Sequence, residues 1–126
     1  MPEKILVVDD DADNRRIMQL TMLKAGYLVV LAVNGREAIA AAERERPDLI
    51  LLDLSMPVLS GWETVKLLKS DERWKTIPVL AFTAHAMAGD ERKVMEAGFD
   101  GYLSKPCVPG RAVEVVAARL SAGRRP

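Results

Sequence analysis

Leu49-Ile50-Leu51-Leu52 sets four large apolar side chains in a row between Pro47-Asp48 and Asp53. The run is too short for a buried helix and shows no polar alternation, which suits a strand covered on both faces. Asp53 then stands at the carboxyl end of that strand. In an open parallel sheet, this end faces the ligand crevice. A carboxylate there is costly unless something pairs with it.

The rest of the chain repeats the pattern. Ile5-Leu6-Val7-Val8 reads as a β-branched buried strand that ends abruptly in Asp9-Asp10-Asp11. Ala12 to Ala25 reads as a helix, with Asp11 or Asp13 as N-cap and Gly26 as the stop. Leu28 to Val33 is a second strand, punctuated by Asn34-Gly35. An alanine-rich helix, Arg36 to Arg46, follows and is ended by Pro47. Beyond Asp53, Pro57 to Gly61 is a loop in which Ser60 can cap a helix from Gly61 to Lys69. Ser70 to Thr76 is polar and reads as a surface loop, with Trp74 partly exposed. Ile77 to Phe82 is a fourth strand, with Pro78 tolerable near its start. Met87 to Ala97 is a helix stopped by Gly98, and Tyr102-Leu103-Ser104 is a short fifth strand. Pro109 opens a last helix through Leu120, leaving Ser121 to Pro126 as a loose basic tail.

Five strands alternating with five helices imply an α/β fold: a doubly wound parallel sheet with right-handed crossovers and helices on both faces. The 126 residues suit one domain over 1–126, with its core at about 4–120. Lysine plus arginine equal aspartate plus glutamate at 18 each, which argues against an electrostatic nucleic-acid or membrane-surface binder. The single cysteine, Cys107, excludes an internal disulfide and suits the reducing cytoplasm. No apolar run reaches membrane-spanning length.

The chemistry collects at the strand ends. Strand one ends in Asp9 and Asp10, strand three in Asp53, strand four in Thr83 and strand five in Lys105. In a parallel sheet all of these lie on one edge. Three ionised carboxylates in one small site call for a cation. Oxygen donors without His or Cys favour Mg²⁺. A lysine ammonium and a threonine hydroxyl beside it suit phosphate oxygens, and one carboxylate could itself accept the phosphoryl group as an aspartyl phosphate. Two other motifs bear on the same residues. Asp9-x-Asp11-x-Asp13 starts like a calcium-binding loop, but Asn14 and Leu20 replace its glycine and glutamate. The same Asp-x-Asp is similar to haloacid-dehalogenase-type phosphatases, with Asp9 as nucleophile, yet Asp13 stands where those enzymes want Thr or Val.

Taken together, Ile-Leu-Val-Val-Asp9-Asp10, Leu-Leu-Asp53-Leu-Ser-Met56-Pro57 with Gly61, Phe-Thr83-Ala84 and Tyr102-Leu-Ser-Lys105-Pro106 closely resemble the receiver domain of two-component response regulators, especially the chemotaxis type. The resemblance runs from Lys4 to about Leu120. It implies a flavodoxin-like (βα)5 sheet of order 2-1-3-4-5. It further implies that Asp53 takes a phosphoryl group from the phosphohistidine of a sensor histidine kinase or histidine phosphotransfer protein. Asp10, Asp53 and the backbone carbonyl of Ser55 would ligate Mg²⁺, with Asp9 acting through a water. Lys105 would pair with Asp53 and the phosphoryl oxygens, and Thr83 would hydrogen-bond the phosphoryl group. Tyr102 would swing inward and alter the face of helix four, strand five and helix five, which meets a downstream target protein; a homodimer through that face is compatible. The protein would catalyse only its own phosphorylation and dephosphorylation. A stand-alone regulator is expected, with a receiver cut from a hybrid kinase, a phosphatase and a phosphorylation-independent binding module as alternatives.

Ser55 and His85 occupy positions that tune acyl-phosphate lifetime in that family, although His85 reads first as an exposed loop residue. Cys107 reads as a small buried hydrophobe. Met18, Met22, Met87 and Met95 read as core or interface filling.

Overall fold

A computed structural model describes residues 2–54, 59–83, 88–104 and 109–123. The elements alternate as expected: β1 (Lys4–Val8), α1 (Ala12–Lys24), β2 (Leu28–Ala32), α2 (Gly35–Glu45), β3 (Leu49–Asp53), α3 (Gly61–Ser70), β4 (Val79–Thr83), α4 (Ala88–Glu96), β5 (Gly101–Ser104) and α5 (Pro109–Gly123). The strands form one sheet of order β2-β1-β3-β4-β5, and every neighbouring pair is parallel.

Strand side chains alternate between faces, so each strand feeds two cores. Leu6, Val8, Ile50, Leu52, Val79 and Ala81 pack with Ala38, Ala41 and Ala42 of α2, Val65 and Leu68 of α3 and Val94 of α4. Ile5, Val7, Leu49, Leu51, Leu80 and Phe82 pack with Met18 and Met22 of α1 and Ala112, Val116 and Leu120 of α5. Every residue of β3 is buried, as the unbroken apolar run requires. On the edge strand β2, Leu28 and Leu31 are exposed.

Helix starts follow local chemistry. Of the two candidate caps for α1, Asp11 accepts from the Asn14 N–H at 3.0 Å. Asn34 accepts from the Glu37 N–H, and Ser60 with Glu63 closes a reciprocal capping box on α3. Gly26, at φ +98°, turns the chain out of α1 in a conformation that side chains with a Cβ rarely adopt.

Several expectations need correction. β4 begins at Val79, two residues later than its apolar run, because Ile77 closes a turn onto the Trp74 carbonyl and Pro78 has no N–H to donate. β2 stops at Ala32 and α2 starts one residue early, on the Asn34 cap. α5 runs through Ser121 to Gly123, so the expected tail is partly helical: nothing in Ser121-Ala122 breaks the hydrogen-bond ladder. Trp74 is only 6% exposed, with the Arg73 guanidinium stacked 4.3 Å from its ring; its turn carries a core anchor inside a polar sequence. Trp62 lies on α3, its ring edge-on to Phe99 at 6.0 Å. Met18 and Met22 are core residues, whereas Met95 is exposed. Ser55, His85, Met87, Lys105 and Cys107 lie outside the described residues. No described helix is long and apolar enough to cross a membrane.

Candidate functional site

The pairing register builds the site. Val8 of β1 lies opposite Leu52 of β3, so the residues that follow, Asp9 and Asp53, emerge side by side at the carboxyl edge. One strand over, Asp53 pairs with Phe82 of β4, and Thr83 pairs with Ser104 of β5. The expected residues of strands one, three and four thus converge on one edge. For Thr83 this concerns the backbone position alone. Lys105, next after Ser104, and Ser55 are outside the described residues.

Asp9, Asp10 and Asp53 each offer a carboxylate oxygen, and these three atoms lie within 4.8 Å of one another. Asp9 and Asp53 are buried, at 2% and 5% exposure, while Asp10 opens to solvent. Negative charges this close repel one another. A hard divalent cation relieves that conflict, and the all-oxygen donor set suits one. The acidic residues therefore fit the metal expected from the sequence.

The surrounding backbone is tightly tied. The Asp9 N–H donates to the Ala32 carbonyl at 3.1 Å, its Oδ1 accepts from the Asp11 N–H at 2.9 Å, and its carbonyl accepts from Arg15 Nη1 at 2.9 Å. On the other side, the first turn of α3 presses on the end of β3. The Gly61 N–H donates to the Leu54 carbonyl at 3.0 Å. A Cβ on Gly61 would collide with the Asp53 carbonyl and come within 2.7 Å of Leu54 Cα. Glycine is needed there for close approach. Tyr102, on β5 opposite Ala81, is half-buried against the core that holds Val94 and Phe99.

Residues 5–117 match the response regulator receiver domain. The chain belongs to this family. As a receiver it is a signalling protein that accepts a phosphoryl group and works with histidine kinases and downstream targets. Among receivers, the polar-differentiation response regulator DivK of Brucella anthropi is 38% identical over 120 residues, covering 95% of this chain and 98% of DivK. Chemotaxis protein CheY4 of Vibrio cholerae superposes with a TM-score of 0.88 at 33% identity, covering 94% of this chain and 98% of CheY4. The receiver domain of sensor histidine kinase PA1611 from Pseudomonas aeruginosa, solved with a magnesium ion coordinated in its active-site cleft, gives 0.88 at 30% identity, covering 96% and 99%. The receiver match does not favour the phosphatase alternative.

Arg15 is not among the site residues expected from the sequence. Its signal is faint: an arginine one turn into the helix that follows the acidic pair, on a chain with many arginines.

Proposed function

We propose that Asp53 is the phosphoacceptor of this receiver, that Asp10, Asp53 and the Ser55 carbonyl hold Mg²⁺ directly, and that Asp9 does so through a water. The observation that carries this reading is the convergence of three carboxylates on one sheet edge, with Asp53 supplied by the fully buried central strand. A strand terminus fixed from both sides holds its carboxylate for in-line attack better than a loop would. Bound Mg²⁺ would offset the negative charge that accumulates between the carboxylates and the phosphoryl oxygens.

The reaction is a phosphoryl transfer between nucleophiles. An Asp53 oxygen attacks phosphorus as the P–N bond to the donor imidazole breaks; the electron pair stays on nitrogen, which takes up a proton. Lys105 places an ammonium and Thr83 a hydroxyl on the phosphoryl oxygens. In the reverse sense of signalling, a water attacks phosphorus and returns the carboxylate and inorganic phosphate. The chain turns over no external substrate beyond these two steps.

The chain is one receiver domain over 1–126, with its core at about 4–120 and α5 as its last helix. Phosphorylation draws Thr83 toward the new group and lets Tyr102 turn inward, which alters the α4–β5–α5 face. That face meets a downstream protein and is also available for homodimerisation. The reading sets the protein in the cytoplasm, where ATP serves the kinase that supplies the phosphohistidine, and the balanced charge argues against nucleic acid as a direct partner.

The test is incubation with acetyl phosphate and Mg²⁺ followed by intact mass. One added phosphoryl group is expected, absent in Asp53→Asn and absent when the metal is chelated. An adduct that persists in Asp53→Asn, or none on folded wild-type protein, overturns the assignment.

A further inference from the structure

The acidic site has a support that comes from a helix. Arg15 lies one turn into α1, and its side chain runs back toward the helix N-terminus, the direction that helical side chains take. Its Nη1 donates to the Asp9 carbonyl at 2.9 Å in a partly buried setting. That carbonyl belongs to the peptide joining Asp9 to Asp10. The peptide is planar, so holding its oxygen also fixes the direction in which Asp10 leaves the loop. Asp9 is anchored at its N–H by Ala32 and at its carboxylate by the Asp11 N–H. Arg15 adds a further anchor, at the carbonyl of the peptide that leads into Asp10.

We propose that Arg15 is a positioning residue of the metal site, holding the Asp9–Asp10 peptide so that the exposed Asp10 carboxylate meets the cation alongside Asp53. The inference rests on the reading of the triad as a Mg²⁺ site. The sign of its effect is distinctive. By charge alone, a guanidinium beside a cation site weakens cation binding, so removing it would tighten Mg²⁺. Positioning predicts the reverse, since losing an outer partner of a metal ligand commonly costs about 10-fold or more in metal affinity.

The measurement is Mg²⁺ affinity by titration calorimetry on the whole chain. Arg15→Met is expected to bind Mg²⁺ about 10-fold more weakly. Arg16→Met, which removes the same charge from the exposed neighbouring position, is expected to bind as the wild type does. Phosphorylation by acetyl phosphate should need more Mg²⁺ in Arg15→Met yet reach the wild-type rate at saturation, a split that simple destabilisation does not produce. Should Arg15→Met not fold, Arg15→Gln, neutral and shorter, carries the same test. Unchanged or tighter binding in a folded Arg15 variant overturns this inference alone. Absence of Mg²⁺ binding in the wild-type chain overturns the site reading and this inference with it.

Discussion

The two edges of the sheet use the same residue type for opposite ends. At the amino edge, Asp48 precedes β3 and accepts the Lys4 N–H at 2.7 Å. Asp100 precedes β5; its Oδ2 accepts from Lys69 Nζ and from the Val79 N–H, each at 2.8 Å. Lys69 Nζ donates further to the Ile77 carbonyl, and Lys4 Nζ reaches Glu45. These carboxylates tie the start of one strand to the start of another. At the carboxyl edge, Asp9, Asp10 and Asp53 converge on one another instead. The amino-edge carboxylates serve to join strands; the carboxyl-edge ones also face one another, and a cation between them relieves that repulsion.

This contrast can be broken by substitution. The largest effect is expected at the amino edge: Asp100→Ala removes a charge-assisted pair and leaves the Val79 N–H without that acceptor. It should destabilise the protein by about 1.5–3 kcal/mol in urea unfolding, while the acetyl-phosphate reactivity of the folded protein stays as in wild type. If reactivity falls in step with stability, the two edges are not separable.

A smaller effect, of opposite sign on the two edges, sharpens the point. With metal chelated, Asp10→Asn relieves like-charge repulsion at an exposed position and should raise stability by about 1 kcal/mol. Asp48→Ala loses an exposed hydrogen bond and should lower it by about 0.5–1.5 kcal/mol. With Mg²⁺ added, the wild type should gain stability and Asp10→Asn should gain less. A thermal-shift series with and without Mg²⁺ reads all of these; destabilisation by Asp10→Asn in chelator would remove the contrast.

The smallest effect is in pH. Glu45 is held below the usual carboxylate range, first by its hydrogen bond from Arg44 and then by that from Lys4. A lowered carboxyl stabilises the fold above the ordinary carboxylate range, and this contribution is lost as pH falls through its lowered value. Because Glu45 is solvated, the loss is slight. Glu45→Gln should flatten that part of the acid limb of the stability curve and leave the neutral limb unchanged. An identical acid limb in the variant would show that this amino-edge pair does not couple to folding.

Much of this protein could be read along the chain. The unpunctuated run at Leu49–Leu52 pointed to a buried strand, and four of the five strands ended at or beside a polar residue, so the acids fell on one edge. Caps at Asp11 and Ser60 were legible because capping is a contact between residues three apart. Boundaries set by turns were not. The Ile77-Pro78 segment is apolar like a strand, yet the Trp74 turn claims it, and the burial of Trp74 depends on packing from distant elements. The Asp48 and Asp100 anchors were also hidden, since their donors lie 44 and 31 residues away in Lys4 and Lys69.

By itself, the sequence determined the alternation of strands and helices, the two-faced burial of β3 and the residue type at each strand end. These follow from short-range periodicity and local punctuation. Only the tertiary structure decided that Asp9 stands beside Asp53, because β1 and β3 are neighbours in the sheet but not in the chain. It also decided that Gly61 rests on the Asp53 backbone and that Arg15 reaches the Asp9 carbonyl. Such contacts arise from strand order and from the angle at which helices return to the sheet, which no local pattern encodes.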